Sequence, residues 1–400
     1  MPRIYYLTKI NFNSNKANVY NTVKTCEVLS LNNNAMVVLI STDNSLVNEE
    51  AKDFFFKKNS IKNKFDIVSM GSFANYFKNS NIRPINWIET IIANLSLAWF
   101  VISSRKKFDI FYFRDPFIFL PVLIVKFVFK NPIFFEIHAV LRSKHGQFLN
   151  KFLAKHSDGL IVITRALKEY YEKINKNVIV SFCACAEQER FDVVKKKKGE
   201  LRKELNLPEE KIILGYTGNL WKTGNFDSYG IEYIINAIPL LDKNVIFVGV
   251  GKKRNETEGL EDLAKNLNLG NRVLFLPWVP KNEIAKYILA FDILLIPSAG
   301  AQIGNSPTKM FEYMVSGRPI IAANTKAISE VLHNKKNSLL VDYKNPKSWV
   351  EAISKVLLSK VLLESLIQNA KDDAKKYTWG NRGLDIFNFV KKIIDEKNFK

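Results

Sequence analysis

From residue 1 to about 180 the chain alternates short apolar runs with stretches of helical spacing, and after residue 204 it does so again. The first series reads RIYYLTKI, NTVKTCEVLSL, AMVVLIST, FDIFYF, NPIFFEIH, DGLIVITRALKEYYEKI and NVIVSF. The second reads KIILGYTGNL, GIEYIINAIPLL, NVIFVGVG, EGLEDLAKNLNL, RVLFLPWV, KNEIAKYILAF, DILLIPS, RPIIAAN and NSLLVDY. Such alternation is the signature of βαβ units around a parallel sheet. A chain of 400 residues exceeds one core, so we expect an α/β protein of two Rossmann-like, doubly wound domains. The charged stretch VVKKKKGELRK has no strand pattern, which places a linker at 194–204 between a domain at 1–193 and one at 205–376. The tail, 377–400, has helical spacing with Phe387, Phe389, Val390 and Ile393 or Ile394 on its apolar side. Open α/β sheets bind ligands at the carboxyl ends of their strands, so function is expected in a cleft between the domains.

The formal charge of +20 suggests an anionic partner: nucleic acid, a phosphorylated ligand or an acidic membrane face. Scattered lysines on a solvated surface are the plainer alternative. No recognisable nucleic-acid-binding motif accompanies the charge, so nucleic acid is not expected as a partner. Cys26, Cys183 and Cys185 show neither CxxC pairing nor histidines spaced for zinc, which fits a reducing cytoplasm and no metal site. The opening MPRIYYLTKINF reads as a first strand rather than a signal peptide. Two strongly apolar runs, 87–104 with Glu89 and 115–130 with Pro121 and Lys126, fall short of about 20 uninterrupted apolar residues. They read as helices packed in a core or lying on a membrane. Arg105, Lys106, Lys107, Lys126, Lys130, Arg142 and Lys144 beside them favour peripheral association with an anionic membrane surface.

The stretch NSPTKMFEYMVSGRPIIAAN, 305–324, carries the most specific chemistry. Ser306 suits an N-cap and Pro307 the first helical position, so a helix is expected from there to about Ser316, ended by Gly317. Lys309 then meets the positive end of the helix dipole, an arrangement that an anion at the terminus would relieve. Thr308, Glu312 and Ser316 repeat every four residues beside an apolar stripe of Met310, Phe311 and Met314. The pattern alone leaves Glu312 either at the cleft or in solvent.

SPTKMFEYMVSGRPIIA resembles the nucleotide-sugar-binding motif of the retaining GT-B glycosyltransferases of family 4, glycosyl transferase group 1, and the ordered βα units around it extend the likeness over the C-terminal half. The resemblance implies the GT-B fold, with a C-terminal helix crossing back to the N-terminal domain. It assigns the donor's ribose hydroxyls to Glu312, its diphosphate to the amides around Ser306, Pro307, Thr308 and Lys309, and its base to the backbone near Trp278 and Val279 in FLPWVP. Gly218 and Asn219 form the expected glycine turn. Gly304, followed by Asn305, stands where the commoner motif has a first glutamate, and Asn219 and Tyr229 replace the family's phosphate-binding Arg and Lys. Lys222 and Lys309 are the nearby cations that would supply that charge.

The N-terminal half resembles the family through FDIFYFRDPF, FFEIHAV and HSDGLIVITRALKEYY. Glu136 and His138 lie two apart on a strand and share a face, with His138 at its carboxyl end. Such a histidine is either a satisfied core residue or a ligand, and the family places a His near the donor sugar here. Arg114, closing the preceding strand, is expected to form a buried ion pair with Glu136. The resemblance implies metal-independent transfer of a sugar from a nucleotide diphosphate donor to a glycan or lipid-linked acceptor hydroxyl, with retention, no separate cofactor, and a departing phosphate oxygen that takes the acceptor proton. His138 and Lys309 are the candidate catalytic residues. A non-catalytic binding subunit and a GT-B sugar-nucleotide epimerase are the alternatives.

Overall fold

A computed structural model describes residues 3–398 apart from 14–16, 32–34, 44, 47, 71–82, 105, 107–108, 142, 183–184, 221–228, 253–256 and 298–307. The chain forms two compact units, residues 1–183 with 379–400, and residues 184–378.

Unit 1 is built on β1 (Arg3–Thr8), β2 (Met36–Ser41), β3 (Asp66–Ser69), β4 (Ile110–Phe113), β5 (Ile133–Ile137), β6 (Gly159–Val162) and β7 (Val178–Val180), in the order β3-β2-β1-β4-β5-β6-β7. Each pairing is parallel. The alternation of side chains along a strand feeds two cores: Tyr5 and Leu7 of β1 enter one, Ile4 and Tyr6 the other. The second core also takes Ile386, Val390 and Ile393 from the terminal helix Trp379–Asn398, packed on the Ala17–Leu31 helix. Gly383 permits that approach, since a Cβ there would lie 2.8 Å from the Val28 carbonyl.

Unit 2 repeats the plan with β8 (Ile212–Thr217), β9 (Val245–Lys252), β10 (Val273–Pro277), β11 (Ile293–Ile296), β12 (Ile320–Ala323) and β13 (Leu339–Val341), ordered β10-β9-β8-β11-β12-β13 and parallel throughout. Runs such as ILLI in β11 are buried at every position because helices cover both faces. In both sheets the strand order reverses beside the first strand, which puts a topological switch point at β1/β4 and at β8/β11.

The expected boundary is corrected. The chain enters unit 2 at 184, ahead of the stretch read as a linker, and 194–204 is folded into that unit. Its Lys198–Glu204 helix is pinned by Arg202, which is buried, pairs with Asp292 Oδ2 at 2.5 Å and donates to the carbonyls of Ala290, Glu209 and Lys211 at 2.9, 2.7 and 2.9 Å. A guanidinium with that many acceptors holds a segment whose lysines alone look solvated. The return crossing falls at 378/379, two residues after the expected start of the tail at 377.

Candidate functional site

The candidate donor residues that are described stand at the carboxyl ends of the unit 2 strands. After β8 the chain turns through Gly218 at φ +134°, and β9 itself turns at Gly251, its penultimate residue, at φ +136°. The turns touch: Gly218 N donates to the Val250 carbonyl at 2.9 Å, and a Cβ on Gly251 would lie 2.1 Å from the Gly218 carbonyl oxygen. Only glycine tolerates both the left-handed backbone and that proximity. Trp278 and Val279 follow β10, and the Trp278 amide donates to the Lys252 carbonyl at 3.1 Å.

The Lys309–Val315 helix follows β11 across the switch point. It begins later than the Ser306 cap suggests, with Thr308 in the N-cap position, and Gly317 at φ +74° terminates it as expected. Its Tyr313 hydroxyl accepts from the Thr217 amide at 2.8 Å and contacts Thr217 Oγ1 at 3.1 Å, which docks the helix on the end of β8. That docking carries the Lys309 amine over the Tyr216 ring, 3.8 Å from its centroid, and against Gly218, where a Cβ would lie 2.8 Å from Nζ. Lys309 makes no ion pair among the described residues. Burial pushes its amine down to about 7, against a weaker upward pull from Glu312. A buried amine held by an aromatic face, with no carboxylate in contact, is suited to receive an anion.

Glu312 lies one turn on and is no solvated decoration: its side chain is 17% exposed. Its Oε1 accepts from Arg190 Nη1 at 2.8 Å, and the same nitrogen donates to Glu187 Oε2 at 3.0 Å. Arg190 Nη2 also donates to the Lys281 carbonyl, while Lys281 Nζ reaches Glu187 at 3.3 Å. Arg190 was not singled out in the sequence; it lies 122 positions from Glu312 and has no local motif. The positions where the family's Arg and Lys were expected hold a neutral pair, Asn219 Nδ2 donating to the Tyr229 hydroxyl at 2.9 Å. Lys222, Gly304, Asn305, Ser306 and Pro307 lie outside the described residues.

In unit 1, β5 carries Glu136 and delivers His138 just past its end, with Nε2 2.5 Å from Glu136 Oε1. The expected Arg114–Glu136 ion pair is corrected: the guanidinium in contact is Arg382 of the terminal helix, Nη2 2.9 Å from Glu136 Oε1, both side chains 2% exposed. Tyr112 donates its hydroxyl to Glu136 Oε2. Arg114 acts on this cluster only through its field, half-buried at the end of β4. Arg382 also donates to the Ser181 and Phe182 carbonyls at 2.7 and 3.0 Å and to Ser181 Oγ at 3.1 Å, so its planar fork ties Glu136 to the chain that follows β7. Burial opposes the charge on Glu136, but Arg382 and His138 outweigh it and hold the carboxyl well below the usual carboxylate range. Burial first, then the charge of Arg114, pushes His138 down to about 4. Because an ionised Glu136 only accepts, a neutral His138 must carry its proton on Nε2, leaving Nδ1 as an acceptor. Among the described residues no three His, Cys, Asp or Glu side chains gather as a metal site.

The profile of the family Glycosyl transferases group 1 matches residues 197–373, almost the whole of unit 2. This unit is a group 1 glycosyl transferase domain. An uncharacterized glycosyltransferase of Methanocaldococcus jannaschii is 27% identical over 203 residues, 50% of this chain and 49% of that protein. A D-inositol 3-phosphate glycosyltransferase of Corynebacterium jeikeium is 28% identical over 187 residues, 44% of this chain and 43% of that protein. The chain thus spans about half the length of the curated relatives it matches. A crystal structure of Anabaena HepE in complex with UDP superposes with a TM-score of 0.74 at 15% identity, covering 98% of this chain and 100% of that one. The likeness is one of fold, and the fold of two parallel-sheet Rossmann-like domains is GT-B. In the group 1 domain the motif residues Lys309 and Glu312 occupy the switch point that the doubly wound topology reserves for ligands.

Proposed function

We propose that the chain is a glycosyltransferase that moves a sugar from a nucleotide diphosphate sugar to the hydroxyl of a glycan or lipid-linked acceptor, with retention and without a metal. The observation that carries this reading is the Lys309 amine, packed on Tyr216 and against the Gly218 turn at the switch point of the group 1 domain. As the glycosidic bond to the donor phosphate breaks, negative charge grows on the diphosphate. A preorganised cation beside it lowers the barrier, and Lys309 supplies that cation. Glu312, held by Arg190, takes the ribose hydroxyls; Trp278 and Val279 border the base. His138, neutral, offers Nδ1 to a hydroxyl of the donor sugar. The departing phosphate oxygen accepts the proton of the acceptor, which removes the need for a general base. Cytoplasmic action, at the inner face of a membrane in polysaccharide or glycolipid synthesis, fits this chemistry.

The neutral Asn219–Tyr229 pair favours a second reading, in which the domain binds a nucleotide sugar without turning it over. Incubation with a panel of nucleotide sugars in a chelator, scored for nucleotide release with candidate acceptors, separates the two. Release from one donor with an α-linked product from an α-linked donor supports transfer. Binding without release supports the second reading, and neither binding nor release removes both.

The amine at about 7 also sets a pH dependence. Above pH 7 the unliganded site holds a neutral Lys309. A bound diphosphate raises the amine toward its usual value, so binding takes up a proton. The Kd for nucleoside diphosphate is therefore expected to rise between pH 7 and 9 by up to about tenfold per unit. Lys309→Met is expected to flatten that profile; titration calorimetry in buffers of different ionisation enthalpy reads the proton directly.

A further inference from the structure

Three helical segments of unit 1 pack on one face of its sheet and share one core: Arg83–Ser104 through Leu97 and Val101, Phe119–Phe129 through Val122 and Val125, and Lys144–His156 through Leu153 and Ala154. The opposite sides of these segments therefore form the outer surface of a single layer.

On the Arg83–Ser104 helix that outer side is apolar. Trp87, Ile91, Leu95 and Trp99 follow one another at four-residue intervals and are 66%, 56%, 57% and 69% exposed, with Ile102 continuing the row. By length and composition the window Trp87–Ser104 suffices to cross a membrane. The helix is nonetheless tied into the folded unit on its other side. Asn94 is buried, donates to the Phe117 carbonyl at 2.7 Å and accepts from the Leu120 amide at 2.9 Å. A helix with one face in a protein core and a wide apolar stripe outside has the build of one that lies in an interface. In the same layer, Phe127 and Val128 of the Phe119–Phe129 segment are also exposed apolar side chains. Phe127 meets His156 of the Lys144–His156 helix, ring centroids 5.2 Å apart. That helix presents Lys144, Phe148, Lys151 and Lys155 at intervals of four, three and four, all exposed on one side.

The charge says what covers this face. Unit 1 contains 30 Lys and Arg against 16 Asp and Glu, a net +14, whereas unit 2 contains 29 against 23, a net +6. Most of the excess thus belongs to the unit that bears the apolar row. A second copy would bring like charge against like; an anionic lipid surface takes the tryptophans at headgroup depth and the lysines at its phosphates.

We propose that the outer face of the Arg83–Ser104 helix, with the lysine row of the Lys144–His156 helix, docks unit 1 in the plane of an anionic lipid surface. This goes beyond the transferase reading and does not depend on it.

The test is flotation of the full chain with phosphatidylcholine vesicles, with and without roughly one third phosphatidylglycerol, at low and high salt. The expected result is binding to the anionic vesicles alone, weakened at least tenfold by high salt. Trp87→Ser with Trp99→Ser is expected to reduce the partition coefficient at least tenfold, as is the triple change of Lys144, Lys151 and Lys155 to Gln. These side chains are exposed, so the melting point should hold, and circular dichroism checks it. Equal binding to neutral vesicles, or binding that both variants retain, overturns the proposal. So does a wild-type dimer in light scattering that the tryptophan variant converts to a monomer without any vesicle binding, which would assign the face to a second copy.

Discussion

Lys309→Ala is expected to weaken nucleoside diphosphate binding by roughly ten- to a hundredfold, the size of a charged hydrogen bond lost from a bound ligand, about 1.5–3 kcal/mol. The fold should not suffer, because the side chain ends on the Tyr216 ring and enters no ion pair among the described residues. Removing a buried amine whose charged form is disfavoured leaves the unliganded protein at least as stable near pH 6. Glu312→Gln keeps the shape of the site but loses the charge that Arg190 faces at 2.8 Å. Its nucleotide affinity is expected to fall by about tenfold, the effect of one charge-assisted hydrogen bond. Both appear as smaller ligand-induced rises in melting temperature over a nucleotide titration. Affinities equal to wild type in both variants would return Lys309 and Glu312 to the helix surface and remove the main support for a donor site.

Arg382→Ala is expected to destabilise unit 1 by roughly 3–5 kcal/mol, because it leaves the buried Glu136 carboxylate without its ion pair. It also strips donors from the Ser181 and Phe182 carbonyls. The pH dependence follows from the sign of the shift. Glu136 sits below its unfolded value, so its contribution is full above about pH 4.5 and is lost as pH falls through the folded value. In Arg382→Ala the carboxyl protonates more readily, so the difference from wild type should narrow on acidification. Adding Glu136→Gln should recover part of the loss. Urea unfolding followed by near-ultraviolet circular dichroism measures it. A single variant that unfolds with wild type at pH 7 would show that the pair is not what holds the terminal helix to β5.

What was legible in the sequence followed burial. Parallel strands covered on both faces read as apolar runs, so ILLI of β11 and the buried VVLI of β2 announce themselves and the double alternation yields two doubly wound sheets. The Lys309–Val315 helix was legible from its apolar stripe and from Gly317, but its start was not, because Ser306 carries the stronger capping signal. The error at 194–204 has a different origin. Four consecutive lysines look like a solvated tether, yet the following helix is held by one buried arginine, and composition does not separate Arg202 from its neighbours. Long-range partners were out of reach altogether. Arg114 directly follows the strand before Glu136, but Arg382 is the one delivered to it, by a helix whose sequence carries no mark of that contact. Arg190 reaches Glu312 for the same reason. The run at 87–104 was readable as apolar, while the side left outside the core became visible only once Leu97 and Val101 were placed inside it.

The most direct test of the central claim is a crystal structure of the full chain with a nucleoside diphosphate. The account predicts the diphosphate beyond β8 and β11, with the Lys309 amine within about 2.7–3.0 Å of a phosphate oxygen and the ribose hydroxyls on the Glu312 carboxylate. A nucleotide bound elsewhere, with Lys309 still on the Tyr216 ring and Glu312 paired only with Arg190, would contradict it.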